Sequence, residues 1–445
     1  MIQNTIIIGS GAGGATIARE LSLKKHKIKL LDKGPLYQQG SAAEYLKLKK
    51  VSSIDKSGLP TGKEINNLNL NEDNRFSLQL MYSEGLGGTT TISLANACYA
   101  CSSCYTDSTT TQFQLQNLEL YNEFLEASKE MKVNPLPFDF RGPTTQKMVE
   151  AAENLDFYME AMPKFIDFDL CNKCGNCLYN CKPGAKWDAR DYVAQAQKKG
   201  AELITDFQVK RILNCQGKVT GVEGIYKGEK KVLNSSQVVL SAGALNTPFI
   251  LRNSGITEGV GEEFFCDLFI TVGAYLKDAQ LNQEIPMGVK SEFGPYFISP
   301  HYSAALPPLI QEKYKNLKKD IKVTPDDVVG IMIKIADESR GFMDKNGDIH
   351  KDITSRDRKL FQEGIKKATD LLIEMSADPE SVVLSPVRGA HPGGTAPMGK
   401  VVNQDMQTSL EGLYVVDASI IPRAPGRPPI LTIVALAKKL AQIMG

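Results

Sequence analysis

The sequence has no apolar run approaching the ~20 residues that a helix needs to cross a bilayer. It has no excess of either charge: 52 Lys and Arg against 51 Asp and Glu give a net charge of +1. A surface without a dominant sign offers nothing special to nucleic acid or to an acidic membrane. The residues after Met1 pass straight into a strand pattern, with neither a basic leader nor a cleavage site, so no export is expected. Internal repeats and low-complexity tracts are missing, apart from a weak echo between two cysteine runs. Histidine is scarce, with four in the chain, so one placed in a motif carries weight. The bulk composition, 42% hydrophobic and 23% charged, is that of an ordinary globular protein, and 445 residues leave room for two or three domains' worth of core.

Cysteine is present in a particular way. Seven of the nine cysteines fall in two tight groups. The run Cys171-Asn-Lys-Cys174-Gly-Asn-Cys177-Leu-Tyr-Asn-Cys181-Lys-Pro183 has the spacing C-x2-C-x2-C-x3-C with a proline close behind. That is the bacterial ferredoxin run, whose thiolates hold iron–sulfur clusters. Gly175 lets the loop bend around such a cluster. A zinc knuckle, or reduced structural thiols, is the competing reading. Clustered spacing of this kind is not a dispersed disulfide framework, and it points to a reducing, cytoplasmic compartment. Cys98, Cys101 and Cys104 repeat the triplet without a fourth cysteine at the local spacing. Two arrangements stay open. Cys181 completes a cluster held by the first triplet, leaving Cys171, Cys174 and Cys177 to find Cys215 or Cys266. Alternatively, the second run makes one cluster with its own four cysteines or with one from the first triplet. The expected type is [4Fe–4S], with [3Fe–4S] as the other.

The first 34 residues read as strand, glycine turn, helix and strand. Gly9-x-Gly11-x-x-Gly14 follows Ile6-Ile-Ile8 and opens a helix. Gly9 makes the tight turn, Gly11 lets a pyrophosphate approach the backbone, and Gly14 lets helix and strand pack closely. Asp32 ends the second strand, where an acid would hydrogen-bond the adenosine ribose. This is a dinucleotide site. A second glycine loop, Gly85-Leu-Gly-Gly88-Thr89-Thr90-Thr91, offers N–H and hydroxyl donors to a further part of the cofactor. Residues 35–80 are polar and carry no readable motif.

Helical periodicity appears over Leu118–Met131, from Trp187 to about Gly200, over Arg356–Met375 and over Ile430–Met444. Gly217 marks a hairpin, and Gln237–Leu240 is a buried strand running into Ser241-Ala242-Gly243. Alternating, turn-rich stretches at Asp267–Ala274, Met287–His301, Val328–Asp337 and Gly341–Ile349 suggest an antiparallel sheet. His391 lies in a glycine-rich loop, and Leu413–Val416 is a strand ending at Asp417.

Taken in this order, the motifs resemble the glucose–methanol–choline (GMC) family of FAD-dependent oxidoreductases. The resemblance covers residues 1–34, 83–93, 184–265 and 386–445, and rests on Gly85–Thr90, Ser241-Ala-Gly243 with Thr247-Pro248, His391-Pro-x-Gly394-Thr395 and Val415–Ser419. It implies that the dinucleotide is FAD, with Gly9, Gly11, Gly14 and Asp32 at the ADP half. Gly88, Thr89 and Thr90 would lie along the pyrophosphate and flavin, Val209 at the adenine, and Asp417 at the ribityl chain, with Ala242 and Ala418 in the flanking cofactor motifs. A cysteine-bearing branch of the family carries a C-x-x-x-C-P segment before Gly-Ala-Lys, where Cys171–Lys186 stands here. The fold expected is α/β: a doubly wound FAD-binding domain (1–94, 184–264 and 389–445), a helical and cysteine-rich iron–sulfur segment (95–183) and an antiparallel-sheet substrate domain (265–388).

The resemblance makes His391 the base that accepts the substrate hydroxyl proton, a role suited to imidazole near neutral pH. The family's second donor, His or Asn, would fall in Arg427-Pro428-Pro429-Ile-Leu-Thr432, where Pro428 brings no donor. Arg427, Tyr105 or a residue of the cysteine run are candidates to replace it. The function expected is an FAD and iron–sulfur dehydrogenase that moves hydride between a CH–OH carbon and flavin and passes electrons to a carrier protein, ferredoxin-like or a partner redox subunit. The alternatives are a ferredoxin-fed reductase of a C=C or C=O bond, and an electron-transfer subunit with a vestigial site.

Overall fold

The computed structural model describes residues 4–36, 46–52, 78–99, 119–178 and 181–445. The chain opens with β1 (Asn4–Ile8), α1 (Ala12–Leu23) and β2 (Lys27–Leu31). β1 sits at the centre of a five-stranded sheet in which every pairing is parallel. Its order is Leu413–Val415, Gln237–Leu240, β1, β2, Glu202–Ile204. Ile6, Ile7 and Ile8 are buried because helices cover a parallel sheet on both faces, and an unbroken β-branched run suits that position. α1 buries Ala12, Ala15, Ile17, Ala18 and Leu21, and packs against the helices Ala189–Lys198 and Ile430–Ile443. Lys438, whose side chain is nearly all buried, ties this layer together. Its Nζ lies 2.9 Å from Glu20 of α1 and 2.9 Å from Glu130 of the helix Tyr121–Glu130.

A second, eleven-stranded sheet carries its own core. Its middle is antiparallel, with Leu268–Tyr275, Val328–Ile335, Tyr296–Pro300 and Val289–Glu292 as successive neighbours. The alternating pattern of residues 267–349 predicts these strands. The sheet as a whole is mixed, because Leu46–Ser52 and Leu78–Ser83 join it from the polar stretch that gave no motif. They pair in parallel with Ile349–His350 and Arg388–Gly389 respectively. Alternation of Leu46 and Leu48 with Lys47 and Lys49 is the signal that could have found the first of these strands. The helix Ser355–Glu374 begins with a capping box, Thr354 with Asp357, and lies on Val328–Ile335. A Cβ on Gly364 would sit 2.4 Å from Ile333 Cγ2, which explains a glycine in mid-helix despite a cost of about 1 kcal/mol.

A three-stranded antiparallel sheet, Phe207–Cys215, Lys218–Tyr226 and Glu229–Asn234, turns at Gly217 as expected. Among the described residues no helix is long and apolar enough to cross a membrane.

Candidate active site

A cavity of about 570 Å³ runs between the two sheets, in the size range of small-molecule and cofactor sites. Its first end is the turn between β1 and α1. Gly9 has φ +94°, and a Cβ there would lie 2.2 Å from the Ser241 carbonyl oxygen. A Cβ on Gly14 would lie 1.9 Å from the Gly9 carbonyl oxygen, so Gly14 serves the packing of helix on strand and does not line the cavity. Gly11 is different: a Cβ there would meet nothing within 4 Å, because the residue opens onto the cavity. It is also the N-cap of α1 and supplies no side-chain bond to the first-turn N–H groups, which are left for a ligand. With the helix dipole behind them, those groups fit a pyrophosphate.

The second glycine loop meets the first. A Cβ on Gly88 would lie 3.3 Å from Gly11 Cα. Thr90 Oγ1 donates to the Gly87 carbonyl at 2.6 Å and accepts from the Ala189 N–H at 3.0 Å, which ties this loop to the helix behind it. Asp32 accepts from the Ser10 and Gly34 N–H groups, both at 2.9 Å, and faces the cavity at the end of β2. Asp417 accepts from the Gly243 and Ser419 N–H groups at 2.9 and 2.7 Å and from Thr247 Oγ1 at 2.6 Å. Burial pushes its carboxyl up, and these bonds pull it back toward the charged form. Thr89, Val209, Ala242 and Ala418 line the same cavity, so it gathers every cofactor residue read from the sequence except Gly14.

The far end belongs to the second sheet. His391 lines it, and its Nδ1 lies 2.8 Å from Asp267 Oδ2. The other carboxylate oxygen of Asp267 accepts from the Gly426 N–H at 2.8 Å. Asp267 is fully buried and held at φ +45°, a left-handed conformation that costs a non-glycine residue energy and marks a constrained site. Burial drives the carboxyl of Asp267 well above its usual range, while Lys334, the Gly426 N–H and Arg427 oppose it. Burial, with Lys334 adding to it, holds the His391 imidazole well below its usual range, so the ring is neutral near pH 7. With Asp267 as the carboxylate, Nδ1–H donates to Oδ2 and Nε2 is left as a bare lone pair, the arrangement of a general base. Asp267 is a site residue that the sequence reading missed, and nothing near it in the chain marks it. His301 also lines this end. Its Nδ1 is 2.9 Å from Thr271 Oγ1, and burial lowers it to about 3.

Pro428 and Pro429 line the cavity where a second side-chain donor was looked for. Arg427 turns away: its Nη2 lies 3.0 Å from Glu292 and donates to the Gly294 carbonyl at 3.0 Å. Tyr105 lies outside the described residues.

Cys171, Cys174, Cys177 and Cys181 line one small pocket, walled by Ile166, Pro183, Ala185 and Ile285. Gly175 sits in the loop at φ +71°, with the Glu284 carbonyl oxygen 2.9 Å from where a Cβ would be. The Lys186 N–H points to Cys181 Sγ at 3.3 Å. Lys186 Nζ is buried and donates to the Thr91, Ser93 and Cys177 carbonyls, which joins this pocket to the second glycine loop. Cys98 lies elsewhere, in an apolar cluster with Met162 Sδ 3.8 Å from its Sγ, and burial pushes its thiol up to about 11. Cys101 and Cys104 lie outside the described residues. Cys215 is exposed and Cys266 buried, and neither lines the four-cysteine pocket. Among the described residues no group of three or more Cys, His, Asp or Glu stands in an arrangement that holds a metal ion.

Comparison with known proteins follows the same outline. The family model described as GMC oxidoreductase matches in two parts, the N-terminal over residues 4–269 and the C-terminal over residues 333–437. An uncharacterized protein of Methanocaldococcus jannaschii is 33% identical over 437 residues, 98% of each chain. The long-chain-alcohol oxidase FAO4B of Arabidopsis thaliana is 20% identical over 98% of this chain and 66% of its own length. The crystal structure of pyridoxine 4-oxidase from Mesorbium loti superposes with a TM-score of 0.73 at 16% identity over 99% of each chain, a likeness of fold.

Proposed function

The chain belongs to the GMC oxidoreductase family and is an FAD-dependent enzyme, and from that premise we propose that it is a dehydrogenase acting between an alcohol and its carbonyl and carrying an iron–sulfur cluster beside the flavin site. The observation that carries the reading is the His391–Asp267 pair facing the same cavity as both glycine loops. FAD, when bound, supplies the hydride acceptor. Gly9, Gly11, Asp32, Gly88, Thr89 and Thr90 would hold its ADP and pyrophosphate part, Val209 its adenine, and Ala242, Asp417 and Ala418 its ribityl side.

His391 Nε2 takes the hydroxyl proton of the substrate. Asp267 keeps the ring in the tautomer that leaves Nε2 bare, and it stabilises the imidazolium once the proton has arrived. Asp267 and Lys334 are buried at this end, so the charge that develops beside them is weakly screened. The same two groups run a reduction when His391 starts protonated. Pro428, which removes a donor from the alcohol-oxidising arrangement, is the observation that favours that direction.

Four thiols around one apolar pocket support the cluster. Cys171, Cys174, Cys177 and Cys181 would hold it, and it would supply a one-electron relay to a carrier protein. The spacing and the shared pocket favour a single cluster closed by Cys181 over one completed by Cys98. The test is anaerobic purification with flavin and iron counts and EPR. One FAD and about four irons per chain are expected. A protein that binds FAD without iron and reduces dioxygen rapidly on an alcohol would refute the dehydrogenase reading in favour of an oxidase.

A further inference from the structure

Lys334 is the one charged residue in the strand Val328–Ile335, whose every residue is buried. It is 2% exposed, and its Nζ has no hydrogen-bond partner among the described residues. The contact it makes is with the face of Phe269, 5.0 Å from the ring centroid. The nearby carboxylate of Asp267 is already committed to His391 and to the Gly426 N–H. Burial pulls the Lys334 amine below its usual range, while Asp267 favours its charged form. An ammonium buried without a hydrogen-bonding partner is costly, and such groups recur where a ligand completes them. Lys334 lines the same cavity as His391, at the end where Pro428 brings no donor.

We propose that Lys334 is the cationic donor of the substrate pocket, and that its ammonium takes the reacting oxygen of the substrate as that oxygen becomes an anion. The inference rests on the flavin-dependent alcohol reading and deepens it by naming the group that carries the charge. The O–H bond breaks and its proton goes to His391 Nε2, while the electron pair stays on oxygen beside Lys334 Nζ. FAD, when bound, would accept the C–H pair as hydride, which would leave the alkoxide as a carbonyl. In the reverse direction Lys334 polarises the carbonyl. A charge placed where charge develops is worth more in a closed, poorly screened site than in water.

The test uses the holoenzyme and acetate, an unreactive oxygen anion, titrated by calorimetry. Wild type is expected to bind acetate. Lys334→Met should raise the acetate Kd at least about tenfold, the scale of one hydrogen bond to a charged group, with flavin content and thermal midpoint unchanged. Lys334→Arg should keep most of the affinity. Acetate bound equally tightly by wild type and Lys334→Met, or not bound by wild type at all, overturns the proposal. If Lys334→Met does not fold, Lys334→Gln answers the same question. His391→Ala separates this site from the reaction: it should lose turnover and keep acetate binding. Flavin counting tests the flavin reading on its own, and acetate affinity that depends on Lys334 supports the anion site whatever that count shows.

Discussion

Asp267→Asn is the substitution that most sharply separates a catalytic pair from a structural one. The change is nearly isosteric, and asparagine tolerates the left-handed backbone that residue 267 adopts at φ +45°. The amide oxygen can still accept from the Gly426 N–H, so the loop keeps its anchor. What changes is the 2.8 Å contact to His391, where an NH2 donor replaces an acceptor. The ring answers by moving its proton from Nδ1 to Nε2, the atom that must be bare. Losing a hydrogen bond to a charged partner costs about 1.5–3 kcal/mol. Losing the correct tautomer approaches the whole contribution of a general base, about 10²–10⁴-fold in rate. The expected result is a fall in kcat of about 10²-fold or more, some 2.7 kcal/mol at 1.36 kcal/mol per decade. Flavin content should not change, because Asp267 does not line the cavity. Anaerobic bleaching of the flavin band by substrate, followed in stopped flow, reads the step directly. A variant that bleaches at the wild-type rate would refute the reasoning, and so would one that has lost its flavin.

Further outcomes follow from the same geometry. His391 must be unprotonated to accept a proton, and burial lowers its pKa, so kcat/KM should hold its plateau below pH 6.5 and fall only at lower pH; an acid limb centred above pH 6.5 would contradict this. Gly11→Ala should fold with an unchanged thermal midpoint, since a Cβ there meets no protein atom within 4 Å, yet weaken FAD by about 1.4 kcal/mol or more, tenfold in Kd, as read by flavin titration of the apoprotein. Burial works to raise the Glu292 carboxyl, but Arg427 and Lys290 hold it down at about 2. A carboxyl depressed on folding contributes stability above its unfolded pKa of about 4.3 and loses it as pH falls toward 2. Glu292→Gln should therefore flatten the acid limb of a thermal-melt series and cost about 1–2 kcal/mol at pH 7 once solvent screening of this partly exposed side chain is allowed for. Cys177→Ser should lower iron content without changing flavin content. Iron retained at the wild-type level would move the ligand set away from this pocket.

The features legible in the sequence are those whose cause is local. Gly9 and Gly14 are required by atoms 1.9–2.2 Å from a would-be Cβ, and that requirement recurs wherever a strand turns tightly into a helix over a pyrophosphate. His391 announces itself by its glycine-rich loop. The four cysteines announce themselves by spacing, and their gathering into one pocket follows from a loop that Gly175 can bend. Features that depend on distant chain segments were not legible. Asp267 acquires its meaning from a histidine 124 residues away. His301 reaches the cavity because it follows Tyr296–Pro300, a strand that runs beside Val328–Ile335. Lys334 did leave a trace, a single charge inside Val328-Val-Gly-Ile-Met-Ile-Lys334-Ile, which a buried strand does not keep without a reason. Leu46–Ser52 and Leu78–Ser83 went unread because they gain their stability from the strands they join on either side more than from their own composition.

The central claim is that His391, backed by Asp267, is the proton acceptor over a flavin held by the two glycine loops. The direct measurement is anaerobic single-turnover bleaching of the purified flavoprotein by a panel of primary and secondary alcohols, wild type against His391→Ala at equal flavin content. The account predicts that at least one alcohol bleaches the wild type and that His391→Ala slows that step by about 10²–10⁴-fold while keeping its FAD. Equal rates in the two proteins, or a wild-type chain that binds no FAD, would contradict it.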